Sequence, residues 1–566
     1  MEQTKTTRWI AVTGGVCSSL GKGILTSALG VLLKSAGYRV TVMKLDPYLN
    51  VDPGTMSPRE HGEVFVTMDG AETDLDLGHY ERILEIQLTR ASSVTSGQIF
   101  QAILERERSG AFLGGCITMV PHVVDEICER VKSIAESAAV DVVLIEVGGT
   151  VGDIEGSHFL EAIRRLKIEL KERLVHCHLS LVPFLQWTQE YKTKPTQHSV
   201  MQLKRAGLVP DFLFLRADDR VAQHMVDKLA LLCGMQRDTL FQVLTFSPMY
   251  QLFLDLQVQG VAHHIQRALG CDEIGDVNLQ PWHHVITRVQ ASGRVVKIGL
   301  IAKYTGADPY ISVIEAIKSA GYAHHVRVEI VTIIAEHLEQ PTSAAGQRAW
   351  EQMREVAGIV VPGGFDIRGV EGKIAAARFA REMKIPYLGL CLGLQVMLIE
   401  CTRSLLNRRD AHSTEFDPHT TTPVIGLLEE QHYVKHKGAS MRLGTFACHI
   451  TPGTCAHRAY QREQIFERHR HRYEFNNDYR EALEAAGVVF SGVYRAKNLV
   501  EIAELAQHPF MVGVQFHPEF QSSPLAPHPL FGSFVQKIIE LSITSEQTAR
   551  LTCSKSRQSL DGQCHR

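Results

Sequence analysis

At 566 residues the chain is too long for a single hydrophobic core, and the length favours two to four domains. Its make-up is that of a globular protein, with 45% hydrophobic, 21% charged and 7% aromatic residues. A formal net charge of −3 gives no electrostatic case for general attraction to nucleic acid or to a membrane.

No apolar run approaches the roughly 20 residues of a membrane-spanning helix. Lys5 and Arg8 precede an apolar stretch that breaks at Gly14-Gly15, which reads as no secretory signal. The 12 cysteines are scattered without a C-x-x-C pair, which predicts reduced thiols and a cytoplasmic location. Cys448, His449, Cys455 and His457 lie close in sequence, but their spacing fits no common zinc pattern, and they read as structural.

The first predicted strand, Trp9-Ile-Ala-Val-Thr13, runs into Gly14-Gly-Val-Cys-Ser-Ser-Leu-Gly-Lys-Gly23. A glycine-rich turn entering a helix lets backbone N–H groups approach phosphate oxygens, and Lys22 adds positive charge near the outer phosphates. The usual P-loop has Ser or Thr after the lysine; here Gly23 follows, and the glycine spacing is one residue longer. Lys44 ends the second predicted strand, placed to neutralise a transferring phosphoryl group. Asp74 and Asp76 follow in Thr73-Asp-Leu-Asp-Leu-Gly-His-Tyr-Glu-Arg82, and Glu146 ends the buried-type run Val140–Glu146 before Gly148-Gly149. Magnesium takes hard oxygen ligands, usually one or two carboxylates with phosphate and water. A carboxylate at the C-terminal edge of a parallel strand lies where such folds bind ligands.

Residues from about Asp272 to Arg294 mix Gly, Pro, Asn and charge and read as a linker. A second block then opens with Val295-Val-Lys-Ile-Gly-Leu-Ile301 and continues through Gly358–Pro362 and Pro386–Leu390. Short apolar runs followed by Gly-rich turns and amphipathic segments predict an α/β fold of two domains, each a mostly parallel sheet flanked by helices. The divisions are 1–272, a linker at 273–294, 295–541, and a polar tail at 542–566 expected to be disordered.

Within the second block, Gly389-Leu-Cys-Leu-Gly393 is the thiol counterpart of a nucleophile elbow. Val512-Gly-Val-Gln-Phe-His-Pro-Glu519 supplies His517 as base and Glu519 to fix the imidazole tautomer, with Cys391 as nucleophile. Backbone N–H groups of Pro362-Gly-Gly-Phe365 are placed to form an oxyanion hole. This set resembles the class I glutamine amidotransferases.

Longer matches extend the likeness over about Trp9 to Leu541. Ser18–Gly23, Met43–Tyr48, Val51–Pro58, His61–Phe65, Gly70–Arg82, Gly148–Glu155 and Lys192–Ser199 together closely resemble the CTP synthases. That resemblance implies a P-loop, dethiobiotin-synthetase-like domain that aminates UTP with ATP, fed with ammonia by the glutaminase domain. By the same resemblance Ser19, Leu20, Gly21, Lys22, Gly23, Ile24, Lys44 and Asp76 face ATP, and Asp76 and Glu146 hold Mg2+. Ser18, Lys192, Thr193, Lys194, Pro195, Thr196, Gln197 and Lys228 correspond to UTP contacts, and Asp153, Ile154 and Glu155 to the part that reads CTP. Gly364, Leu392, Gly393, Leu394, Gln395, Glu415 and Arg472 match glutamine-binding positions. The resemblance further implies activation by GTP and a homotetramer built as a dimer of dimers, with neither nucleic acid nor membrane as partner.

Four places depart from the family pattern. Thr118 stands for a usual Gln; Thr188-Gln189-Glu190, preceded by Trp187, replaces Ser-Gly-Glu; Leu244-Thr245-Phe246 replaces a basic-Asp-Val stretch at the adenine; and Asp366 replaces Gly. None removes a catalytic group. The segment Thr73–Arg82 and the complete Cys-His-Glu set argue against the nearest rival, a cobyric-acid-type amide synthase. A non-catalytic paralogue would keep the same residues, and only a direct assay separates it from an enzyme.

Overall fold

The computed structural model describes residues 7–271, 275–428 and 440–543, so most of the tail, from 544 onward, lies outside the described residues. The chain divides into two compact units, Met1–Thr55 with Glu72–Thr287 and Met56–Ala71 with Arg288–Arg566.

Among the described residues the main sheet of the first unit has seven strands: β1 (Arg8–Gly14), β2 (Val40–Asp46), β3 (Ser93–Thr95), β4 (Val142–Val147), β5 (Leu174–Leu181), β6 (Phe212–Ala217) and β7 (Leu240–Leu244). Their spatial order is β7-β6-β5-β1-β4-β2-β3, and every pairing is parallel. Strands β2 and β4 are buried along their whole length, as expected of a sheet covered on both faces. The chain order reverses around β1, whose neighbours are β4 and β5, so the loops after these strands open a crevice of the kind that binds ligands. Around it lie helices α1 (Lys22–Ser35), α2 (Leu75–Leu84) and α3 (Lys194–Arg205). The stretch read as a linker carries a helix, α4 (Gln280–Ala291), that buries Trp282, Val285 and Ile286.

Among the described residues the main sheet of the second unit has nine strands: β8 (Arg294–Ala302), β9 (Val326–Ile334), β10 (Gly358–Val361), β11 (Tyr387–Leu390), β12 (Arg442–Ile450), β13 (Gln464–His471), β14 (Val488–Tyr494), β15 (Leu499–Leu505) and β16 (Met511–Val514). In the order β9-β8-β10-β11-β16-β15-β14-β12-β13, the first five run parallel and the rest extend the sheet in antiparallel fashion. Helices α5 (Ile311–Ala323), α6 (Val370–Met383) and α7 (Leu392–Leu405) cover the parallel part. Cys448 faces an apolar core with Ile450 and Ile465, in keeping with a structural role.

The sequence reading assigns residues 56–71 to the first domain, whereas the structure packs them with the second unit. Polar anchors hold them there: Glu63 N donates to Asp308 O at 3.0 Å, and Ser312 N donates to Glu63 Oε2 at 3.3 Å, within the first turn of α5. Thr445 N on β12 donates to Met68 O at 3.1 Å.

Candidate functional site

Strand β11 ends at Leu390 and α7 begins at Leu392, so the thiol of Cys391 sits on a strand-to-helix corner. Cys391 has φ 53 and ψ −102, a conformation unfavourable for a side chain and held by its surroundings. Its N–H donates to Val514 O at 2.7 Å, tying the corner to β16. The flanking glycines are required by close packing. A Cβ on Gly389 would lie 2.6 Å from Gly393 C and O, and one on Gly393 would overlap Val361 O. The sulfur is buried, and it meets Arg470 O at 3.8 Å and Gln515 Nε2 at 3.6 Å. The thiol also stands at the N-terminus of the fourteen-residue helix α7.

His517 Nδ1 donates to Glu519 Oε1 at 2.7 Å. This leaves Nε2 buried and without a hydrogen-bond partner among the described residues. Gly363 lies against both groups: a Cβ there would be 3.1 Å from His517 Cε1 and 3.7 Å from Cys391 Cβ. Burial works against a charged ring, but Glu519 and the Cys391 sulfur outweigh it and push the His517 pKa up to about 10.

The turn from Pro362 to Asp366 faces the thiol and is gripped from behind by two buried lysines. Lys373 Nζ on α6 donates to Pro362 O at 2.7 Å and Gly363 O at 3.2 Å. Lys303 Nζ, just beyond β8, donates to Phe365 O at 2.8 Å and also to Asp366 O. In a trans peptide the C=O and N–H point in opposite directions. Holding the carbonyls of 362 and 363 on Lys373 therefore turns the N–H groups of Gly363 and Gly364 away from it. Burial brings Lys303 down to about 8 and Lys373 well below the usual lysine range.

A small cavity beside the thiol is lined by Gly364, Leu392, Gln395, Glu415 and Arg472, so five residues expected around glutamine converge. Gly393 and Leu394 do not line it; they are buried within α7, Gly393 against β10. Burial pushes Glu415 up to about 7, although Lys303 and Arg472 pull the other way. A second cavity shares Cys391 and is lined also by His517, Glu519, Tyr304, Pro58, Glu63 and Val64.

In the first unit the phosphate loop leaves β1 with Val16, Ser19 and Gly21 at φ 80, 54 and 100. Positive-φ residues repeated within a short turn are the backbone feature of loops whose N–H groups cradle anions. Gly21, at the cap of α1, supplies no side-chain partner, so the first N–H groups of the helix stay available. Beneath the loop, Lys44 of β2 and Glu146 of β4 stand in register on neighbouring strands. Lys44 Nζ donates to Glu146 Oε1 at 2.8 Å and also to Asp76. Burial opposes its charge, but Asp76, Glu146, Tyr80 and Asp46 hold it protonated well above the usual range. A Cβ on Gly23 would lie 3.0 Å from Asp76 Oδ1 and 3.5 Å from Glu146 Oε2, so the loop meets the carboxylates directly. Among the described residues no three His, Cys, Asp or Glu form a ready-made metal cage. Two hard carboxylates spanned by an ammonium do fit an ion that takes its remaining ligands from phosphate and water.

Two of the remaining groups of expected nucleotide contacts pack beside the loop that leaves β1. Val151 N donates to Gly14 O at 2.8 Å, and Lys22 Nζ to Gly149 O at 2.8 Å, bringing the exposed turn Asp153-Ile154-Glu155 beside the loop of Ser18. Helix α3, which carries Lys194 to Gln197, packs Ser199 so tightly on Gly15 that a Cβ there would overlap it. Thr193 caps this helix, and Lys192 pairs with Glu190, which also feels the charge of Lys228.

Sequence reasoning missed Lys303, Lys373 and Tyr80. The phenol of Tyr80 donates to Glu146 Oε2, and its place four residues after Asp76 on α2 was the available signal. Of the departures, Gln189 and Asp366 both stand at positive φ, 50 and 74, where glycine is the unstrained choice. Thr118 Oγ1 donates to Val120 O at 2.6 Å, and Thr245 Oγ1 to Asp218 Oδ1 at 3.2 Å. Trp187 is 99% exposed at the tip of a hairpin. Among the described residues no helix is long and apolar enough to cross a membrane.

Fold and site together define a phosphate-loop enzyme unit joined to a cysteine glutaminase unit. Residues 8–271 match the family model of the CTP synthase N-terminus, and residues 306–537 match that of class-I glutamine amidotransferase. A protein of Dehalococcoides mccartyi named CTP synthase is 49% identical over 530 residues, covering 93% of this chain and 96% of its own. One of Moorella thermoacetica with the same name is 48% identical over 530 residues, covering 93% and 97%. Among solved structures, the glutaminase domain of Trypanosoma brucei CTPS with bound acivicin is 36% identical, covering 43% of this chain and 94% of that one, with a TM-score of 0.40. The chain belongs to the CTP synthase family.

Proposed function

We propose that this chain makes CTP from UTP, spending ATP and taking nitrogen from glutamine. One observation carries the reading: the Cys391, His517 and Glu519 arrangement and the phosphate loop over Lys44, Asp76 and Glu146 occur in one chain. In the glutaminase unit, His517 accepts the thiol proton and Cys391 Sγ attacks the carboxamide carbon of glutamine. The oxyanion is met by the N–H groups of Gly363 and Gly364. His517 returns the proton to the departing ammonia, and water then hydrolyses the thioester to glutamate. Glu415 holds the substrate amino group and Arg472 its carboxylate, within the cavity they share with Gly364, Leu392 and Gln395.

In the synthase unit, loop residues Ser19 to Ile24 cradle the ATP phosphates, while Ser18, Lys192 to Gln197 and Lys228 position UTP, and Asp153 to Glu155 serve CTP feedback. Lys22 and Lys44 neutralise charge as the γ-phosphoryl group moves to O4 of uracil, making phosphate the leaving group at C4. Magnesium, when held by Asp76 and Glu146, supplies further neutralisation of that charge. Ammonia sheltered from protonation in bulk water then displaces the phosphate. GTP as activator, a tetramer of paired dimers and a cytoplasmic location complete the proposal. Purified protein given UTP, ATP, Mg2+ and glutamine should form CTP, followed directly by chromatography. Glutamate release without CTP would overturn the reading.

Lys303 provides a pH-dependent check. Its cation opposes burial at Glu415, whose pKa is about 7, and replacing it by Met in Lys303→Met removes that opposition. The Glu415 pKa then rises, so at a given pH less of it is ionised to receive the substrate ammonium. The glutamine KM should increase several-fold near neutrality and recover toward the parent value as pH rises, by mass action on the carboxylate. A pH-independent KM change would show that Glu415 is not the group affected.

A further inference from the structure

Residues 56–71 reach the glutaminase site by two routes that end on the same side chain. Phe65, fully buried, meets Phe520 edge-on with ring centroids 4.9 Å apart. Phe520 in turn stacks on the His517 ring at 5.0 Å and an interplanar angle of 15°. The second route is through Arg468 on β13, which is 2% exposed. Its Nη1 donates to Val66 O at 3.0 Å, its guanidinium lies 5.3 Å from the Phe65 ring centroid, and its own carbonyl accepts from His517 N at 2.8 Å. The imidazole is therefore held in plane by an aromatic face and along its backbone by a strand, and both supports lean on Phe65-Val66.

We propose that Phe65, with Arg468 and Phe520, is a positioning residue for His517, so that residues remote in sequence set the geometry of the thiol–imidazole pair. The proposal rests on the reading of His517 as the base of the glutaminase reaction. Glu519 fixes one ring nitrogen, but a single hydrogen bond leaves the ring free to tilt about it. A stacked face removes that freedom. Removing Phe65 opens space behind Phe520, lets the ring rock, and moves Nε2 relative to the sulfur. The substrate cavity of Glu415, Gln395 and Arg472 contains none of the three supports, so binding should persist while the chemical step weakens.

The test uses the full-length protein with Phe65→Ala, Phe65→Leu and Phe520→Leu, alongside Cys391→Ala. For Phe65→Ala the glutamine-dependent kcat should fall on the order of ten- to a hundredfold, as small misplacements of reacting groups do. The glutamine KM and the rate with added ammonia should stay near those of the parent, and Phe65→Leu should recover part of the loss. The pH profile of Cys391 alkylation by iodoacetamide should shift upward as the thiolate loses its partner, which a loss of bulk stability would not cause. Should Phe65→Ala not fold, Phe65→Leu and Phe520→Leu carry the same readouts. An unchanged kcat, an unchanged alkylation profile, or equal losses with glutamine and ammonia would overturn the proposal. If Cys391→Ala itself keeps glutamine-dependent activity, the underlying assignment of the site fails instead.

Discussion

Cys391→Ala should abolish glutamine-dependent CTP formation, by on the order of 10⁴-fold or more, as loss of a covalent nucleophile does. The same protein should still make CTP from added ammonia, at a rate within roughly twofold of the parent, because groups that share no partners contribute additively. The physical reason lies in the separation of tasks. The thiol is buried on the corner between β11 and α7, beside His517 and the turn at 362–366, all in one unit. Lys44, Asp76, Glu146 and the phosphate loop belong to the other. Alanine adds no bulk at residue 391, so the corner between β11 and α7 is not pushed apart. Parallel assays with glutamine and with ammonium chloride at alkaline pH read the two chemistries apart. Loss of both activities in a folded protein would contradict this division.

The converse is expected of Asp76→Asn and Glu146→Gln, which should lose synthesis from either nitrogen source by about 10²–10³-fold, the usual scale for one electrostatic contact to the transition state. These carboxylates share the Lys44 ammonium, which is 5% exposed. Neutralising one therefore affects stability as well as charge compensation during phosphoryl transfer. Burial favours the acid form of Asp76, but Lys44 outweighs it and holds the pKa below the ordinary carboxylate range. Its contribution to folding is therefore present above the unfolded-state pKa and fades as pH falls through the lower folded one. Measuring melting temperature beside activity, at neutral pH and again under acid conditions, separates the two effects. Near-normal ammonia-dependent turnover by both variants would move the phosphoryl-transfer site elsewhere.

What could be read from sequence was local. The elbow around Cys391 and the pair His517 and Glu519 announce themselves because corner, base and orienting carboxylate each fall within a few residues of a strand end. Gln395, Glu415 and Arg472 were named by family pattern, and the fold brings them to one cavity. The supports were not legible. Lys303 and Phe365 are 62 residues apart, and no periodicity relates them. Val66 and Arg468 lie 402 apart, joined only by the path of the chain. Lysines with apolar neighbours read as surface residues until burial is known, and Lys373 is fully enclosed. Substituted glycines carry a similar lesson. Gln189 and Asp366 differ from the family pattern at positions of positive φ, so the backbone has kept a shape that the side chain disfavours.

The placement of residues 56–71 bears on how this chain can be taken apart. A gene fragment opened in the stretch between the two blocks would encode every strand of the nine-stranded sheet, together with Cys391, His517 and Glu519. It would nonetheless lack Pro58, Glu63 and Val64 from one wall of the thiol cavity, and Phe65 from behind Phe520. Such a fragment would leave apolar faces of Phe520 and Arg468 open to water. A chimaera that borrows this glutaminase has to borrow a short piece of the preceding half as well, and to splice it where Met68 and Gly70 meet β12. Shuffling at the sequence boundary alone would part a lock from its bolt.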